Sequence, residues 1–207
     1  GQPTAAELIA AGEWTWDRVI EAAAAVHATT GKAGLVIRDF EYRNWDNLST
    51  FFRGWGARAW SEDGRTCGFT DPEMVEAMTT LHEAIFVKQA LPGPGTSADF
   101  FAGEAAMTVT QISRASLLDD TFAWDLVPLP AGPAGEYAVI GQAGLGVLRQ
   151  SAHADVAVDF LAFFTNPENS AKLAQFFPPP RQSLLSAQTL AQTNPKLTHE
   201  QLQSVVI

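Results

Sequence analysis

The chain has 207 residues, 46% of them hydrophobic and 17% charged, enough for one substantial domain with a real core and unlike a disordered composition. A formal net charge of −10 repels phosphate backbones and anionic lipid, which argues against nucleic acid or a membrane surface as partner. The single cysteine, Cys67, excludes an internal disulfide, and no CxxC or Cys/His cluster offers a metal site.

The opening GQPTAAELIA has neither a basic region nor a long apolar stretch, so it is no signal peptide. An export signal would lie upstream, and Gly1 as first residue suggests a trimmed piece. GEWTWDRVIEAAAAVHATTG then predicts a helix, with Thr15 as cap, Asp17 in the first turn and Gly31 at the end. Leu35 to Ile37 is a short apolar strand. Asp63-Gly64, between Trp60 and Phe69, is a turn signal for a small hairpin. In TDPEMVEAMTTLHEAIFVKQ, Asp71 caps, Pro72 takes the first helical position, and Met74, Met78, Leu81 and Ile85 share one face. A short aromatic helix from Asp99 turns at Gly103 and Glu104 into a strand over Ala106 to Val109. Two further strands are expected, Trp124 to Leu129 and the glycine-interrupted Ala138 to Leu148. PLPAGPAGE (128–136) and PPPR (178–181) are loops by composition. Between them come two helices, capped at Ser151 and at Asn166-Pro167-Glu168. Strands and helices in this order predict an α/β layered domain, and no run of eighteen apolar residues spans a bilayer as a helix.

Catalytic signatures are missing. GQAGLG (141–146) has the wrong spacing for GxGxxG, and no strand feeds through it into a helix, so a bend, a bulge or the close approach of another backbone is the better reading. His27, His82, His153 and His199 sit on or beside different helices without metal spacing, and no GxSxG occurs. Glu41 and Asp46 could be imagined as a glycosidase pair, but solvated loop carboxylates are much the better reading. EYRNWDN (41–47) stands apart: Tyr42, Arg43, Asn44 and Trp45 combine flat rings with a guanidinium and an amide. Such a group covers the C–H face of a hydroxylated ring and donates to its hydroxyls. For Trp45, burial at the start of a helix is the competing reading.

Taken together, GEWTWDRVIEAA, the DG hairpin with FTDPEMVEAM, DFFAGEAAMTV, WDLVPLPAGPAG, GQAGLGVLRQSAHADVAVDFLAFFTNPENSAKLA and PPPRQSL occur in the order of a known family. The chain resembles the extracellular solute-binding proteins of ABC importers, the sugar-binding type that includes maltodextrin-binding protein, over nearly its whole length. The resemblance implies a periplasmic-binding-protein-like type II lobe, a mixed sheet flanked by helices, as a truncated part of a bilobal receptor. It implies a second, C-terminal ligand-binding lobe over 1–141, a hinge crossing and helices that pack on the first lobe over 142–187, and the start of a return to the second lobe over 188–207. Val156, Phe160, Phe163 and Phe164 would then form an apolar patch through which a truncated chain repacks or self-associates.

The resemblance further implies a binding protein that is not an enzyme and uses no cofactor. It works in the periplasm or outside the cell, with a lipid anchor compatible, and hands a sugar or polyol to ABC permease transmembrane subunits by clamp closure. Tyr42 falls where the maltodextrin-binding relative places a stacking tyrosine, and Trp45 would stack beside it. Where that relative has Gly-Pro-Trp, this chain has Gln111, Ile112 and Ser113, which implies a smaller or more polar solute. Arg43, Gln111, Ser113, Arg114 and Gln142 would hydrogen-bond the ligand, with Gly141 at the hinge and Arg181 a further candidate. Arg43 and Arg114 leave room for an anionic sugar. The rival from another class is a polysaccharide-processing enzyme domain using a carboxylate pair.

Overall fold

The computed structural model describes residues 3–37, 45–93, 95–141 and 144–207. Tyr42, Arg43 and Gln142 therefore lie outside the described residues, as does the Glu41 carboxylate. The chain divides into two compact units, Gly1–Thr110 with Pro128–Val139, and Gln111–Val127 with Ile140–Ile207.

The first unit begins with α1 (Ala5–Ala10), absent from the sequence expectation. Its signal is short: Thr4 and Glu7 form a capping box, the Glu7 carboxylate accepting from the Thr4 N–H at 2.7 Å. The Thr4 bonds hold the Glu7 carboxyl below its usual range. The long helix follows as expected: α2 (Trp16–Thr30) starts on the Thr15 hydroxyl, which accepts from the Arg18 N–H, and ends on Gly31 at φ 71°. β1 (Ala33–Ile37) pairs in parallel with β2 (Ala105–Val109), Leu35 opposite Met107 and Ile37 opposite Val109. Parallel partners need a long crossover, supplied by α3 (Trp45–Phe52), a 3-10 turn at Arg53–Trp55 and α4 (Pro72–Phe86). Met74, Leu81 and Ile85 of α4 are buried and Met78 packs beside them, so the predicted face is the core face. Asp71 stands at the N-cap, but its side chain makes no capping bond.

Gly34 locks the α2–β1 contact. A Cβ built there would lie 2.1 Å from the Ala23 carbonyl oxygen, so only glycine lets the strand pass the helix this closely. The core around it gathers Trp16, Phe51 and Trp55, with Trp16 edge-on to Phe51 at 4.8 Å. The returning segment 128–139 closes this unit: Trp14 donates from its indole to the Pro128 carbonyl at 2.9 Å, and Ala131 bonds both Trp14 and Trp16 through the backbone.

Three local expectations change. The aromatic stretch after Asp99 is a turn, because the Asp99 carboxylate accepts from the Phe101 N–H and competes with a helical bond. Neither 124–129 nor the described part of 138–148 joins a ladder among the described residues, and within 124–129 Pro128 lacks a donor. The 60–69 hairpin is reduced to one antiparallel bridge, Trp60 to Cys67.

The second unit is helical: a 3-10 helix (Ile112–Leu117), then α5 (Ala154–Phe164), α6 (Pro167–Leu173), α7 (Ala187–Thr193) and α8 (His199–Val205). Asn166 caps α6 as expected. Ser151 does not cap α5: His153 holds that position, and the Ser151 hydroxyl accepts from the His153 N–H instead. α7 and α8 were not foreseen, although Ser186 and the Thr198–Gln201 capping box mark their starts. Ala174, Ala187, Leu190, Leu197 and Leu202 form the core of this unit, with Ile112, Ala115, Trp124 and Leu126 packed against it.

Candidate functional site

Gln111, Ser113 and Arg114 fall on one turn. Gln111 stands at the N-cap of the 3-10 helix in extended conformation (φ −85°, ψ 146°), and its carbonyl accepts from the Arg114 N–H at 3.0 Å. A 3-10 helix repeats every three residues, so Ile112 and Ala115 lie on one side. That side packs on the helical core. Ser113 and Arg114 occupy the other two columns and are both half-buried. The Ser113 hydroxyl makes no hydrogen bond among the described residues, whereas Gln111 and Arg114 each make a side-chain or backbone interaction. The result is an amide, a hydroxyl and a guanidinium within four residues on a braced turn.

Lys196 supplies much of the bracing. Its ammonium donates to the Ser116 carbonyl at 2.9 Å and also to the Leu118 carbonyl, at the exit of the turn. Farther on, the Gln201 amide donates to the Asp125 carboxylate at 2.8 Å. Between these ties the Thr121 hydroxyl and N–H hold the Asp119 carboxyl below its usual range, with a smaller pull from the Lys196 charge. The sequence reading passed over Lys196 and Gln201, because nothing local marks a lysine whose partners stand 78 and 80 residues away. The void against Ile112, lined also by Leu190, Leu202 and Val206, measures about 10 Å³, room for one water at most.

The other described candidates are Trp45, Gly141 and Arg181. Trp45 opens α3 in the first unit. Arg181 directs its guanidinium to the Thr165 carbonyl, at 2.8 and 3.3 Å, and so ties down the end of α5. A Cβ on Gly141, Gly144 or Gly146 would meet nothing within 4 Å, so close backbone approach is not what those glycines serve. A separate groove of about 250 Å³ in the first unit runs beside half-exposed Trp60, between Arg58, Ser61, Thr66, Asp71 and Glu73. Among the described residues no cluster of His, Cys, Asp and Glu could hold a metal, and no helix is long and apolar enough to cross a membrane.

Comparison with known proteins fits this architecture. The family model for bacterial extracellular solute-binding proteins matches residues 4–171, and the chain belongs to that family. The fold is that of a periplasmic binding protein. One similar structure is the cyclic alpha-maltosyl-1,6-maltose binding protein from Arthrobacter globiformis (TM-score 0.65, 19% identity, 93% of this chain and 53% of that one). Another is an ABC substrate-binding protein from Listeria monocytogenes in complex with cycloalternan (TM-score 0.70, 22% identity, 93% of this chain and 52% of that one). The chain thus spans about half the length of these structures. No curated protein matches it. The family and both neighbours are binding proteins rather than enzymes, and the family implies a periplasmic or extracellular location.

Proposed function

We propose that this chain is part of a receptor that captures an oligosaccharide or related polyol outside the cytoplasmic membrane and delivers it to an ABC permease, without catalysis. The observation that carries the reading is the turn Ile112–Leu117: in a solute-binding chain it gathers Gln111, Ser113 and Arg114 on a braced 3-10 helix. Amide, hydroxyl and guanidinium match the acceptors and donors of a sugar ring, and they take over where a stacking ring would otherwise stand. Tyr42, Arg43, Trp45, Gly141 and Gln142 belong to the same proposal as contributors to the cleft. Arg181, already spent on Thr165, is its weakest member. In this reading residues 1–141 form the second lobe, 142–187 cross the hinge, and 188–207 return to the second lobe. The packing of α7 and α8 on Ile112, Ala115, Trp124 and Leu126 supports that return. Closure follows from contacts made only in the closed state, which shift the open–closed equilibrium. Membrane tethering through a lipid anchor is compatible with this role.

Titration calorimetry on the full-length protein tests it, with cycloalternan, maltodextrins and an acidic sugar side by side. One of them is expected to bind, and Arg114→Ala to weaken that binding about 10- to 100-fold, the worth of a hydrogen bond from a charged donor. Absence of binding to every sugar, or turnover of a glycoside, overturns the proposal.

In the truncated chain, where the α5 patch lacks the first lobe it would cover in the whole receptor, a second copy is proposed to dock on that patch. Val156, Phe160 and Phe163 recur at four- and three-residue spacing and are 61%, 57% and 63% exposed. Light scattering on the chain should show mass rising with concentration, and Phe160→Glu with Phe163→Glu should abolish the rise. A strict monomer at high concentration sinks this part.

A further inference from the structure

We propose that Lys196 is a positioning residue for the sugar-binding turn: by holding the carbonyls of Ser116 and Leu118 it fixes the 3-10 helix that presents Ser113 and Arg114. The inference rests on the reading of that turn as a ligand site, and its first readout needs no ligand.

A 3-10 helix of six residues is a weak element. Its i to i+3 bonds have poorer geometry than α-helical ones, and its last carbonyls have no partner inside the helix. At the other end Gln111 contributes no side-chain cap. The turn therefore depends on outside support at its exit, where Lys196 stands. One ammonium spans two carbonyls, Ser116 and Leu118, that straddle the end of the helix. A cation at this end also matches the negative pole of the aligned peptide dipoles. Because the donor is charged, these bonds are stronger than neutral ones.

Lys196 is exposed, but the backbone that carries it is held. It lies between α7 and α8, next to buried Leu197, whose N–H donates to the Asn194 carbonyl at 3.0 Å. The Asn194 amide in turn donates to the carbonyls of Ala174 and Leu190 at 3.0 and 2.9 Å. A chain of bonds thus runs from the end of α6, through α7, to the exit of the turn. Ile112 and Ala115 fix the inner side of the turn by packing, and Lys196 fixes its end by charge-assisted bonds. With both set, Ser113 and Arg114 keep one orientation before ligand arrives, which lowers the ordering cost of binding.

The test uses Lys196→Met, which keeps most of the stem and loses the ammonium, and Lys196→Arg, which keeps a charged donor. In the ligand-free chain, Lys196→Met is expected to speed amide exchange over residues 114–118 about tenfold, while α7 and α8 keep their protection. Cycloalternan, or whichever sugar the wild type binds, should bind about tenfold more weakly, and Lys196→Arg should restore both values. Unchanged exchange over 114–118, or faster exchange spread evenly over α6, α7 and α8, overturns the proposal, since the second outcome is that of a general packing residue. Faster exchange with unchanged affinity overturns it too, provided Ser113→Ala weakens the same sugar. If Ser113→Ala has no effect on binding, the ligand reading of the turn fails instead, and the exchange data still decide whether Lys196 holds the turn.

Discussion

Trp16→Ala is expected to destabilise the first unit by about 3–5 kcal/mol, enough to consume much of the stability of a domain this size. Trp16 is 1% exposed and opens α2, so its indole reaches the core from the first turn of the helix. It meets Phe51 edge-on at 4.8 Å, and Phe51 leans on Trp55 at 4.5 Å. Alanine would leave a void between elements that cannot close on it. α2 is held against β1 at Gly34, β1 is bonded to β2, and the backbone of Trp16 donates to the Ala131 carbonyl. Trp16→Phe keeps most of the volume and should cost clearly less. Urea unfolding, followed by exchange of the β1 and β2 amides, makes the measurement. A loss under about 1 kcal/mol for the alanine variant would mean that the aromatic trio is not the centre of this core.

What could be foreseen from residues alone divides along physical lines. α2, α4 and α6 carry their signals within their own length: Thr15 and Gly31, Pro72 with the Met74–Ile85 face, Asn166-Pro167. β1 and β2 are short apolar runs, and both form where expected. The expected strands at 124–129 and 138–148 show the limit of that logic. An apolar run becomes a strand only when another edge accepts it, and no partner is written in the run itself. The aromatic stretch after Asp99 failed for a local reason, the competing carboxylate of Asp99. α1, α7 and α8 have six or seven residues each, too few for apolar periodicity to register, and their capping residues were the available clue.

The candidate site was marked in the sequence by residue types, not by its construction. Gln111, Ser113 and Arg114 stood out because an apolar strand ended in polar residues, and they share a turn. That the turn is a 3-10 helix, with Ile112 and Ala115 inward, follows from a core supplied by residues 174–202. Long-range packing of that kind leaves no mark in a window of the sequence. The same holds for Lys196, whose importance lies wholly in which carbonyls it meets. Arg181 illustrates the converse: a guanidinium beside a proline run looks available for ligand, yet it closes the end of α5.

Leu202→Ala should cost the second unit about 2–5 kcal/mol, and here the loss reaches the candidate site. The core of this unit rests on five buried residues, against eighteen in the first unit, among the described residues. Leu202 is 1% exposed and faces Leu190 and Ile112 across a void of about 10 Å³, so truncation enlarges a gap that already exists. The Asn194 amide, tied to Ala174 and Leu190, keeps α7 from sliding in to fill it. Ile112 then loses the surface it packs on, and the turn bearing Ser113 and Arg114 loses its inner support. Exchange of the α7, α8 and 112–118 amides should rise together, unlike the local loosening expected of Lys196→Met. Leu148→Ala is the control: that side chain is 77% exposed, and its removal should change stability by no more than about 0.5 kcal/mol. Should the two leucine variants prove equally mild, the packing of α7 and α8 cannot be what holds the turn, and its shape must come from the segment 111–118 alone.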